Sequence, residues 1–128
     1  MEANQKLKIG IGTKEPEKLK PKKVVAGGIR FDEVRNKNDK VIGEKVTVIC
    51  KHPDKEDPIA ISSVEYKKDK ALKISALWYN LDEEGLIAKN SALAQWMRHN
   101  GLENLDNIEN KGFDTSQDDA GFLCFKAY

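Results

Sequence analysis

SALAQWMRHNGL, Ser91 to Leu102, is the one stretch of this chain with a clear helical period, and its reading decides the fold. Leu93, Trp96 and Met97 fall at i, i+3 and i+4 and form one apolar stripe, while Gln95, Arg98 and His99 lie on the opposite face. Ser91 suits an N-cap, because its hydroxyl can accept a first-turn N–H, and Gly101 suits a left-handed stop. The spacing therefore predicts one helix from about Asn90 to Asn100. A helix this short cannot bury its own stripe, so it must close over a sheet built from the rest of the chain.

Outside that stretch the pattern is strand and turn. Val24, Val25, Ile29, Phe31 and Val34 predict a first strand, bent at Gly27-Gly28, where two residues without side chains suit a bulge or barrel corner. After the turn Asn36 to Asp39, Val41 to Lys51 predicts a second strand with apolar residues on both faces, hence covered on two sides. His52 to Pro58 is a loop, since its two prolines forbid a central strand. Ile59–Lys67 and Leu72–Asn80 predict a hairpin around Lys68-Asp69-Lys70. In its second arm Leu72, Ile74, Ala76 and Trp78 alternate with Lys73, Ser75, Leu77 and Tyr79. The first set is assigned to the core and the second to solvent.

Past the helix, Leu102, Leu105 and Ile108 recur every three residues, as in one further helical turn or a packed loop. Lys111 to Thr115 and Phe122 to Tyr128 then predict two closing strands around the turn Asp118 to Gly121.

The chain has 128 residues and a balance of 22 basic against 21 acidic side chains, net charge +1. That length suits one domain with a core of its own, here residues 23–128, behind an extended lysine-rich lead-in over residues 1–22. Within the lead-in, Ile9 and Ile11 alternate as a short edge strand would. No apolar run approaches the ~20 residues that span a bilayer, and the first residues lack a signal-peptide pattern, so a cytoplasmic setting without membrane partners is expected. Cys50 and Cys124 are too few for a disulfide scaffold and are expected to be unpaired core thiols. The near-zero net charge gives no global attraction for nucleic acid, so any such case rests on local clusters.

Strands, then one helix, then a last pair of strands is the element order of an OB barrel in which the helix plugs one end. The expected fold is thus all-β with one helix: an OB-like barrel of five or six strands, with a β-sandwich carrying an accessory helix as the alternative. With its lone helix and closing strand Gly121-Phe122-Leu123-Cys124-Phe125, the layout over residues 24–128 resembles small phage-type single-stranded DNA-binding proteins of the OB class. Those proteins often end in an acidic tail, whereas this sequence ends in Phe125-Lys126-Ala127-Tyr128.

No catalytic signature is present, and no cofactor is expected. Cys50, His52 and Asp54 alternate, but a metal site needs about four organised donors and no CxxC or HxxxH pair adds to them, so no metal is expected. His52 then reads as a surface histidine. Paired acids such as Asp82/Glu83 and Asp118/Asp119 sit in turns, where Asp serves the backbone. The chain is therefore expected not to be an enzyme.

A single-strand-binding groove needs aromatic faces for bases and cations for phosphates. Tyr66 and Tyr79 with Lys67, Lys68, Lys70 and Lys73 on the hairpin, and Arg30 with Phe31 on the first strand, supply both. The expected partner is single-stranded DNA or RNA. The rival expectation is a protein-interaction or homo-oligomerisation module that uses an exposed strand edge and a Leu77/Tyr79 surface.

Overall fold

Strands β1 (Val24–Arg35) and β2 (Val41–Lys51) form a long antiparallel pair in the computed structural model, which describes residues 18–128. Their register slips between Ala26 and Gly28, so the bend expected at Gly27-Gly28 is present, and again between Val34 and Arg35. β3 (Ile59–Ile61) pairs with the far edge of β2, and one residue later β4 (Ser63–Lys68) leaves it to join a second sheet. There β4 lies antiparallel to β5 (Ala71–Ala76) and parallel to β8 (Leu123–Lys126). β6 (Gly112–Phe113) returns to β1, and beyond Asp114 the same run becomes β7 (Thr115–Gln117) on β8.

Counting β3/β4 and β6/β7 as two interrupted runs, the pairings form a circuit from β1 through β2, β3/β4, β8 and β7/β6 back to β1. The fold is β-rich and barrel-like, as expected. β5 stands outside the circuit with β4 as its one strand neighbour among the described residues.

The helix α1 (Ala92–His99) closes over this barrel. Ser91 Oγ accepts from Ala94 N at 3.1 Å, and Gly101 ends the helix at φ +68°, so both termini form as expected. Trp96 is fully buried between Phe113 and Phe125, with ring centroids 4.9 and 4.8 Å away. Leu93, Met97, Val24, Val46, Val48, Val64 and Leu77 complete the core around this aromatic cluster. The expected turn after the helix is a 3-10 segment, Leu105–Ile108, capped by Asn104. Its apolar spacing of three matches the three residues per turn of that helix.

Two expectations are overturned. In the hairpin's second arm the faces are inverted: Leu77 is fully buried, Trp78 is only half-buried, Tyr79 packs half-buried against the core, and Leu72 and Ile74 are exposed. Beyond β5 the chain joins β2, where Leu77 N donates to the Ser62 carbonyl and Val46 N to the Leu77 carbonyl. That places Leu77 in the core with Val46, and strand alternation turns Trp78 outward. A Leu77/Tyr79 solvent surface therefore does not exist.

His52 is likewise not a surface residue. Its ring is fully buried, with Nδ1 accepting from Asp54 N at 3.0 Å and Nε2 donating to the Lys20 carbonyl at 2.7 Å.

The described end of the lead-in, residues 18–22, is tied to the barrel. Besides the Lys20 contact, the Lys22 carbonyl accepts from Thr115 Oγ1 at 2.7 Å and the Leu19 carbonyl from Gln117 Nε2 at 3.2 Å. Lys22 also pairs with Asp54 at 2.9 Å. The alternation of Ile9 and Ile11 lies outside the described residues. Cys50 and Cys124 are both unpaired and buried, as expected. Among the described residues no helix is long and apolar enough to cross a membrane.

Candidate nucleic-acid interface

The inversion of faces in β5 turns outward a row of side chains expected in the core. Ile74, Glu65 and Lys126 form one row across β5, β4 and β8, because Glu65 is the register partner of both others. Two residues further along lies the row Leu72, Lys67 and Tyr128, since Lys67 pairs with Leu72 and β4 runs parallel to β8. In the other direction the same face of β5 passes Ala76 and reaches Trp78, which bridges to Lys45 of β2. Alternation puts Thr47, Arg30 and Asp32 on the same side of β2 and β1, opposite Val46 and Val48 in the core, although Thr47 itself is buried beneath its neighbours.

Two aromatic rings lie in this surface among cations. Lys126 Nζ sits 4.7 Å and Lys67 Nζ 5.9 Å from the centroid of the Tyr128 ring. The Tyr128 hydroxyl donates to Glu65, and this bond, then burial, raises its pKa. Trp78 lies against Gly43, next to Lys45.

The acids on the face are engaged. Arg30 Nε donates to Asp32 at 2.8 Å and Thr47 Oγ1 donates to its other oxygen at 2.6 Å. These bonds, Arg30 first, hold the Asp32 carboxyl below the usual carboxylate range. Arg30, one of the expected phosphate contacts, thus already carries a partner.

The other expected site residues divide between two places. Phe31, one residue from Arg30, faces the opposite side of β1 and meets Tyr79 edge-on with centroids 4.9 Å apart. This pair lines a groove of about 530 Å³ at the helix end of the barrel, together with Leu81, Leu86, Met97, Leu102 and Glu103. Tyr66 packs half-buried against the core and shares its face with its register partner Lys73 and with Lys68. Lys70 sits at the hairpin tip, where Asp69 (φ +52°) and Lys70 (φ +69°) form a tight two-residue turn. Tyr79 and Lys73 are therefore not neighbours on one solvent face.

Trp78, Lys45, Lys126 and Tyr128 are the residues of this face that sequence reasoning misses. Trp78 does share a side with Leu72 and Ile74, but a tryptophan in an apolar row reads as core. For Tyr128 the available signal is its alternation with Lys126 at a strand end.

Among the described residues no three His, Cys, Asp or Glu side chains gather as a metal site. Burial pushes the Cys50 thiol up to about 12, and burial with the charges of Glu65 and Asp118 pushes Cys124 up to about 11. Compared with known proteins, the chain matches no family model, no curated protein and no solved structure.

Proposed function

We propose that this protein binds single-stranded nucleic acid without catalysing a reaction, and that the barrel is of the OB type. One observation carries the reading: the outer side of the run through β5 to Trp78 carries Trp78 beside Lys45 at one end and Tyr128 beside Lys67 and Lys126 at the other. Bases stack on aromatic rings regardless of sequence, and lysines between the rings neutralise phosphates. Asp32 and Glu65 oppose this less than their charges suggest, because Arg30 pairs with the first and Tyr128 hydrogen-bonds the second. A circuit with its helix between the third and fourth runs suits the OB type, whose middle-strand face takes oligonucleotides. This reading keeps the resemblance to phage-type single-strand binders and a cytoplasmic setting, in which both thiols stay reduced.

Titration of a labelled single-stranded oligonucleotide at two salt concentrations tests it. Affinity should fall steeply with salt, because each phosphate contact releases a counterion. No measurable affinity for single-stranded DNA or RNA at low salt ends the proposal.

A second reading, a protein-interaction or oligomerisation module, is favoured by a separate observation. β5 is an edge strand, and it exposes Leu72 (51%) and Ile74 (39%). Apolar side chains on an unpaired edge are a usual mark of a docking surface.

A further inference from the structure

The β4–β5 hairpin is basic around an exposed apolar side chain. Lys67, Lys68, Lys70 and Lys73 stand at its tip against Asp69, with Leu72 exposed among them. Two such hairpins repel one another, so edge-to-edge pairing of two β5 strands is disfavoured by the same lysines that guard the edge.

The groove lined by Phe31 and Tyr79 has the complementary character. Its floor is apolar, with Phe31 47%, Leu81 49% and Leu86 61% exposed, and Glu103 and Asp106 stand in its wall. The turn Asp82-Glu83-Glu84 belongs to the loop that supplies Leu81 and Leu86. Glu33 and Glu44 face each other in the β1–β2 register, on the side of the strands that carries Phe31. Arg98 is the one cation in the lining among the described residues, and its guanidinium donates to the Lys89 carbonyl at 2.8 Å.

We infer that the groove receives the β4–β5 hairpin of a second copy of this chain, with Leu72 on the Phe31/Leu86 floor and the hairpin lysines against Glu103, Asp106 and the 82–84 acids. Each copy offers both a hairpin and a groove, so two copies can exchange hairpins about a two-fold axis or join head to tail through the same contact. The inference rests on the interaction-module reading and names its partner; because Leu72 and Lys67 also belong to the outer face, a docked hairpin competes with nucleic acid for that end of it.

Sedimentation of the whole chain over a concentration series, with two variants, tests this. Lys68→Ser with Leu72→Ser spoils the hairpin and leaves the groove; Glu103→Lys with Leu86→Ser spoils the groove and leaves the hairpin. Lys68, Leu72, Leu86 and Glu103 are all exposed, so each variant should fold. The wild-type chain should associate at low salt, with affinity falling on the order of tenfold or more as the salt is raised through the range that screens exposed charges. Each variant alone should stay at the single-chain mass of 14.4 kDa, and an equimolar mixture should form a complex of one copy of each.

A wild-type chain that stays monomeric at every concentration and salt overturns the inference but leaves docking of an unrelated protein on β5 intact. A wild type that associates while the mixture remains monomeric also overturns it, because association then runs through a contact other than hairpin in groove.

Discussion

Trp78 rests on Gly43: a β-carbon at position 43 would lie 3.1 and 3.3 Å from Cζ3 and Cε3 of the indole. The ring keeps its place beside Lys45 because β2 has no side chain beneath it. Gly43→Ala should therefore lift Trp78 and weaken oligonucleotide binding. Trp78→Ala should weaken binding by ~1–3 kcal/mol with the salt slope unchanged, since stacking releases no counterions. Tyr79→Ala, in the groove at the barrel end, should leave oligonucleotide affinity as it was; fluorescence titrations of the three variants distinguish these outcomes.

Lysines on the same face should behave differently from the tryptophan. Replacing Lys45 or Lys126 by alanine should flatten the salt dependence by roughly 0.7 for each phosphate that is no longer neutralised. A slope unaltered in both variants would place the phosphates elsewhere.

Trp96 and Trp78 should separate cleanly in stability. Trp96 is fully enclosed by Phe113 and Phe125, so Trp96→Ala should cost about 3–5 kcal/mol in denaturant unfolding. Trp96→Phe should cost less, because it refills much of the volume and removes a buried indole N–H that has no acceptor among the described residues. Equal stability of Trp96→Ala and the parent would mean that the helix does not close the core.

Thiol labelling of the native chain near neutral pH should be slow at both cysteines. Burial limits access, and pKa values raised to about 12 for Cys50 and about 11 for Cys124 leave little thiolate. Labelling should become fast in denaturant; rapid native labelling of either residue contradicts their burial.

The tie between Asp54 and Lys22 should show in acid. The bond to Lys22 lowers the Asp54 pKa, so its contribution is present above the unfolded carboxylate range and is lost as pH falls through the lower folded value. Asp54→Asn should melt slightly below the parent at neutral pH, and the gap should close at acid pH. A gap that widens in acid reverses the sign and refutes the assignment.

Local chemistry is enough to read most of the elements from the sequence. Ser91 and Gly101 bound the helix by backbone hydrogen bonding and left-handed geometry, and Gly27-Gly28 marks the bend in β1, all within a few residues. The period of two over Leu72 to Tyr79 correctly divides the side chains into two faces. Which face is inward cannot be read there, because both carry large apolar residues. That choice is made by Leu77 joining Val46 and Ser62 through hydrogen bonds distant in sequence, and every alternating neighbour follows. His52 escapes a local reading for the same reason: its burial depends on the Lys20 carbonyl, 32 residues away, meeting its ring. Element identity thus comes from short-range stereochemistry, whereas the pairing of distant strands decides which aromatics and lysines share a surface.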